Sequence, residues 1–242
     1  MAGHSKWANI KHRKEKADAK KGKVFSRIAK EIISATKLGG NDTKSNTRLR
    51  LALQKAREAN MPNEIIERNI KKASSADQAD YHEITYELYG HGGVGIIVDV
   101  MTDNKNRISS EMRIATNKRG GTVASPGAVA FNFERKGIIQ VAKKNAFEDE
   151  LFLAVSEAGA DDFEVSEEGY IITTDPALLY AVKEAVEHLG FKCDSAELEM
   201  IPKLYVECSA ETAKENMALI EWLEELEDVD AVYHNMTSPG DI

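Results

Sequence analysis

Eight cations lie within residues 5–23, SKWANIKHRKEKADAKKGK: Lys6, Lys11, Arg13, Lys14, Lys16, Lys20, Lys21 and Lys23, against only Glu15 and Asp18. The chemistry such a run suits is the gripping of a polyanion. Phosphate backbones hold condensed counterions, and Lys or Arg side chains that displace them gain the entropy of their release. Arg matches a phosphate with two parallel hydrogen bonds, whereas Lys acts as a point charge. Trp7 and His12 sit inside the same run. Their rings would stack on unpaired bases, which favours RNA or melted DNA. The other reading of Trp7 is an apolar anchor for the helical unit that the run joins. Arg27, Lys30, Arg48, Arg50, Lys55 and Arg57 extend the candidate surface further along the chain.

The whole chain does not share this sign. Its 242 residues carry 32 Lys and Arg against 40 Asp and Glu, a net charge of −8. Residues 1–72 hold 19 basic and 7 acidic side chains, and the rest hold 13 and 33. So sharp a division between two parts of one chain points to an anionic partner at the basic end. The acidic remainder would be repelled by that partner, and is expected to face away from it and to contact proteins.

Other patterns that could do chemistry are weaker. GHGGVG places Gly90, Gly92 and Gly95 at the spacing of a dinucleotide-binding turn. Such a turn must open a helix whose amino end holds the phosphates. The residues that follow, IIVDVM, are β-branched and read as a strand, so the glycines are expected to form a hairpin turn. His4 and His12 lie eight residues apart with no Cys beside them, and do not make a metal site without partners elsewhere. The neighbouring acids Asp161 and Asp162, or Glu224 and Glu225, diverge in direction on a strand or a helix. Acid–base catalysis needs carboxyls that converge on one substrate. No G-x-S-x-G, P-loop or H-E-x-x-H occurs. No catalytic residue, metal or cofactor is therefore expected, and the chain reads as a non-enzyme. Cys193 and Cys208 read as partly buried thiols in a reducing compartment. Met1 precedes polar and basic residues, and no apolar run approaches the roughly 18 residues of a membrane span. These features fit a cytoplasmic protein without a membrane partner.

The elements that must position the basic residues come first in the chain. Val24, Phe25, Ile28, Ala29, Ile32 and Ile33 recur at helical spacing, and Leu38–Gly40 stops that helix. Leu49, Ala52, Leu53 and Ala56 form a second stripe. ANMPNEIIERNIKKA restarts a helix, with Asn60 as its cap and Pro62 in its first turn. Residues 5–22 have few large apolar side chains, and are expected to be frayed alone and ordered on an anionic partner. ASSADQAD (73–80) reads as a linker. After it, YHEITYELYG and GIIVDVMT read as paired strands, NKNRISSEMRIATNKRGG as a helix and AVAFNFE as a half-buried strand. Residues 137–201 then run β-α-β-β-α-β, the ferredoxin-like order. LYVEC, ETAKENMALIEWLEELE and DAVYHNM follow as strand, helix and strand. The expected domains are 1–76, basic and helical; 77–136 with 203–242, a split α/β domain; and 137–202, an inserted ferredoxin-like α/β domain.

MAGHSKWANIKHRK, ANMPNEIIERNIKKA, TDNKNR, AGADDFEV and EMIP, in this order, resemble the YebC/PmpR family, which includes the mitochondrial translational activator of cytochrome c oxidase. The resemblance runs from Met1 to about Met236. It implies an α+β multidomain fold: a helical amino-terminal domain followed by two ferredoxin-like α/β domains, one inserted in the other. Members carry the label of transcriptional regulatory proteins; some are described as binding promoter DNA, others as ribosome-associated translation factors that help synthesis through proline-rich stretches. The resemblance thus implies a nucleic-acid-binding regulator of gene expression that acts on DNA in transcription. The alternative is a translation factor that binds ribosomal or transfer RNA on the ribosome. The chain departs from the family pattern at Leu88 and His91, where Gly and Pro are common, and near SPGAVAFNF, where GS is common.

Overall fold

The structure is a computed structural model that describes residues 6, 8–10, 21–73, 80–143, 148–166 and 169–237. Its elements run α1 (Lys21–Gly39), α2 (Thr47–Glu58), α3 (Asn63–Ala73), β1 (His82–Tyr89), β2 (Gly95–Thr102), α4 (Lys105–Arg119) and β3 (Thr122–Val123). They continue with β4 (Phe133–Ala142), α5 (Glu148–Glu157), β5 (Ala160–Val165), β6 (Gly169–Thr174) and α6 (Leu179–His188). The last three are β7 (Cys193–Pro202), α7 (Ala210–Glu225) and β8 (Val229–His234).

The apolar stripes of α1, α2 and α3 meet in a small helical core of Ile28, Ile32, Ala35, Leu49, Ala52, Ala56, Met61 and Ile66. Asn46 joins the first two helices. Its Oδ1 accepts from Leu49 N at 3.0 Å as the cap of α2, and its Nδ2 donates to Ala35 O and Gly40 O. Asn60 does not cap α3 as expected; it ends α2. Its φ is 56°, in the left-handed region that Asn tolerates, and Met61 N bonds back to Ala56 O while Asn60 N bonds to Arg57 O. That pairing is the two-bond C-terminal motif that satisfies the last helical carbonyls.

The first sheet has strand order β3-β1-β2-β8, all antiparallel. One face, including Leu88, Ile96, Val98, Val100 and Val232, is covered by α4 and α7 through Ile108, Met112, Leu219 and Leu223. Leu88 is fully buried there. The second sheet has order β5-β6-β4-β7, again antiparallel. Its connectivity, β4-α5-β5-β6-α6-β7, is the ferredoxin-like one. Ile139, Val141, Tyr170 and Ile172 pack under α5 and α6. The fold is thus α+β: a helical amino-terminal region and two four-stranded sheets.

Two expected strands are absent. Residues 128–132 form a turn and a 3-10 helix, and the strand begins at Phe133. The reason is Glu87, only 8% exposed. Its carboxylate accepts backbone N–H groups of Gly127, Val129 and Ala130 at 2.6–2.7 Å, which removes those donors from any ladder. Burial works against the Glu87 charge, but these three bonds outweigh it and hold the pKa below the ordinary carboxylate value. Glu87→Gln would aim an amide N–H at backbone donors. It should lower stability by about 1–3 kcal/mol at neutral pH. Denaturant midpoints check this, and a loss under about 0.5 kcal/mol would contradict the bonding described. LYVEC (204–208) likewise gives no strand, only a bridge from Val206 to Met236. Asn132 and Asn235 side chains take up its carbonyl and amide groups at Leu204.

Candidate nucleic-acid interface

The glycines of GHGGVG form the expected hairpin connection. His91–Gly93 is a single 3-10 turn between β1 and β2, with Gly92 and Gly93 at positive φ. Asn216, fully buried, clamps it: Oδ1 accepts from His91 N at 2.8 Å and Nδ2 donates to His91 O at 3.0 Å. His91 Nε2 lies 2.8 Å from Arg119 O. With no helix beginning at the turn, it offers no amino-end site for a phosphate.

Among the described residues, no group of three or more His, Cys, Asp or Glu is placed to hold a metal ion. No described helix is long and apolar enough to cross a membrane. Burial pushes the Cys193 thiol up to about 11, with Glu187 adding to the shift. Such a group is a poor nucleophile.

The candidate cations divide into two sets. One set is turned onto the acidic remainder of the molecule. Lys6 Nζ donates to Glu164 Oε1 at 2.6 Å and to Thr173 Oγ1 at 2.9 Å, with Asp162 at 3.5 Å. Residues 6 and 8–10 are helical, and Ile10 packs on Ile138 and Ile171 at the helix-free face of the second sheet. The expectation that residues 5–22 order on a partner falls mostly outside the described residues, of which these four are helical and lie on the sheet. An apolar Ile10 at helical spacing from Lys6 gives the segment a sheet to lie on. Lys23 Nζ donates to the carbonyls of Glu224 and Leu226.

Lys30 is 6% exposed. Its three donors go to Asp228 Oδ1 at 2.9 Å and to Met101 O and Glu227 O, each at 3.1 Å. Asp228 also accepts from Thr102 Oγ1 at 2.8 Å and from Arg107 Nη2 at 2.5 Å. Burial opposes the Asp228 charge, but hydrogen bonds from Arg107, Lys30 and Thr102 overcome it and lower the pKa. This hub ties α1 to the β2–α4 connection and to the start of β8.

The other set stands on the outside of the bundle. Arg50 and Arg57 are exposed, seven residues apart on α2, and so share one helical face. Arg50 makes only long contacts, 3.4 Å each, to Thr43 O and Thr47 Oγ1. Arg48 is about half exposed and pairs with Glu83. Lys55, which pairs with Glu31 at 2.9 Å, and Arg27, which meets the same carboxylate at 3.3 Å, instead face the sheets. Lys21 opens α1. Trp7, Lys11, His12, Arg13, Lys14, Lys16 and Lys20 lie outside the described residues. Arg68, Lys71 and Lys72 were not among the candidates, yet all three are exposed on α3. Their i, i+3, i+4 spacing, opposite Ile66 and Ile70, is the signal that marks them.

Between the bundle and the sheets lies a cleft of about 330 Å³. Lys23, Arg27 and Lys55 line its bundle side, and Asp194, Glu197, Glu199 and Asp230 its sheet side. Burial opposes the Arg27 charge, but Glu197, Glu31 and Asp230 raise its pKa nonetheless. Asp230 is pushed up to about 6, chiefly by burial, against the pull of Arg27 and Lys30. Its folded pKa therefore exceeds the unfolded value of about 3.9. The stability linked to its proton is fully present below about pH 4 and is lost as pH rises through about 6. Asp230→Asn should stabilise the protein at pH 8 by about 1–2 kcal/mol and by little at pH 4. Melting curves across that range check this; parallel curves for the two proteins would refute it.

Residues 5–76 match the model of the TACO1/YebC protein N-terminal domain, and residues 81–236 that of the TACO1/YebC second and third domain. A protein of Protochlamydia amoebophila named probable transcriptional regulatory protein is 79% identical over 242 residues, covering 100% of this chain and 99% of that one. One of the same name from Chlamydia pneumoniae is 58% identical, covering 98% of this chain and 100% of that one. The crystal structure of a conserved hypothetical protein from Aquifex aeolicus superposes with a TM-score of 0.84 at 44% identity, covering 98% of each chain.

Proposed function

The chain belongs to the TACO1/YebC family, and from that premise we propose that it is a non-enzymatic, nucleic-acid-binding regulator of gene expression that acts on DNA in transcription. The name carried by relatives at 79% and 58% identity supports the regulatory part. One physical observation carries the nucleic-acid part: the division of 19 basic against 7 acidic residues in positions 1–72, with Arg50 and Arg57 exposed on one face of α2. Helix α2 has 12 residues, about 18 Å of rod at 1.5 Å per residue. That is enough to follow a groove or a phosphate strand. Arg48, Arg50 and Arg57 are the proposed outer contacts, with Arg68, Lys71 and Lys72 beside them in the same bundle.

Binding is to be measured against a duplex DNA and an unstructured RNA of equal length, at graded salt. Tighter binding to the duplex, weakening steeply with salt, is the expected result. Preference for RNA, with sedimentation alongside ribosomes, would replace DNA by the translation-factor reading. Absence of salt-dependent binding to either would remove the nucleic-acid reading.

A further inference from the structure

A run of ion pairs fastens the basic region to the acidic body. Lys6 meets Glu164 and Asp162, Lys30 meets Asp228, Lys37 meets Asp80 at 2.8 Å, and Arg48 meets Glu83. The reverse polarity appears in Glu58 of α2, which takes Lys183 of α6 at 2.5 Å. The core of α1, α2 and α3 closes on itself, and the apolar cluster that joins the basic region to a sheet is the small one of Ile10 with Ile138 and Ile171. A cleft of about 330 Å³ remains between the helices and the sheets. A seam of this kind is weakened by any competing polyanion, because a carboxylate and a phosphate oxygen are alike as acceptors for Lys and Arg.

Resting on the polyanion-binding reading, we propose that the acidic body is a built-in competitor that masks part of the bundle's cationic surface: Lys6, Lys23 and Lys30 are withheld in the closed arrangement and become phosphate contacts when nucleic acid displaces the body. Arg50 and Arg57 make the first contact, since they are already exposed and, among the described residues, hold no carboxylate of the body. Phosphates then exchange for carboxylates along the seam, and the bundle swings away from its own acidic surface. Weak, non-specific anions fail to open the seam, so the masking raises the threshold for productive binding.

Two measurements on the full chain test this. The first compares two triple variants with equal charge change. Glu83→Gln/Asp162→Asn/Glu164→Gln removes body-side partners of the seam. Glu157→Gln/Glu184→Gln/Glu207→Gln removes exposed carboxylates elsewhere on the body. The seam variant should bind a 25-nucleotide duplex DNA or RNA about tenfold more tightly than the control variant at about 150 mM salt, a margin of about 1.4 kcal/mol. The second is zero-length carbodiimide coupling of the unaltered protein. The Lys6–Glu164 and Lys37–Asp80 couplings should form in the free protein and fall severalfold when saturating nucleic acid is present. Equal affinities of the two variants, or couplings that persist in the complex while binding is intact, would overturn the masking and leave the binding reading standing. Failure of every protein to bind either polymer would overturn both.

Discussion

Asp228→Ala is expected to cost about 3–5 kcal/mol of stability, the range for removing one partner of a buried ion pair. Asp228 is 2% exposed and collects Lys30, Thr102 and Arg107. Without the carboxylate, the Lys30 ammonium keeps its two carbonyl bonds but stays buried with an uncompensated charge. Arg107 suffers less, because its side chain is 44% exposed and can turn to water. Lys30→Met/Asp228→Leu removes both buried charges, and should recover more than half of the loss. The pH dependence has a definite sign. The Asp228 pKa is depressed in the folded protein, so its contribution is present above about pH 4 and disappears as pH falls through the folded value. The unaltered protein should therefore lose its advantage over Asp228→Ala in acid. Denaturant titrations from about pH 3 to pH 7 check both statements. A single-variant cost below about 1 kcal/mol at pH 7 would mean that the hub does not hold the bundle.

What the sequence made legible was local. Helical stripes such as Ile28, Ile32 and Ala35 carry their own period, and Gly40 and Gly120 carry their own positive φ. The β-α-β-β-α-β order of the second sheet follows from the succession of periods, without knowledge of any contact. What the sequence hid depends on partners far along the chain. Residues 128–132 alternate like a strand, yet Glu87, some 40 residues earlier, takes the amides of Val129 and Ala130. Asn60 is an equally good residue for capping a helix start or for the left-handed end of one, and only the neighbouring bonds decide. The candidate interface suffers most from this. A Lys looks the same in sequence whether it faces solvent or an acid; Lys6 and Lys30 meet their carboxylates 158 and 198 positions away. The segregation of charge was visible, but its closure onto itself was not.

The largest binding effect is expected from Arg48→Gln/Arg50→Gln/Arg57→Gln. If each arginine makes a phosphate contact worth about 1 kcal/mol net, affinity for the preferred polymer should fall on the order of a hundredfold at about 100 mM salt. The slope of log affinity against log salt should flatten by roughly 0.9 per lost contact on duplex DNA, or 0.7 on a single strand. Stability should change little. Arg50 and Arg57 are exposed, Arg50 makes only long polar contacts, and Arg48 holds a pair between two half-exposed groups. Lys136→Gln is the matching control. That lysine lies on β4, not on α2, and pairs with Glu134 and Asp161. Its replacement lowers net charge by one unit without touching the proposed surface, so its slope should match that of the unaltered protein. The comparison separates a located contact from a general field. A general field responds to net charge wherever it sits, so each lost cation, including Lys136, would change the slope alike. If the control flattens the slope as much per charge as the arginine variant does, α2 is not the contact surface; if only the arginine variant does, phosphate meets the protein along Arg50 and Arg57.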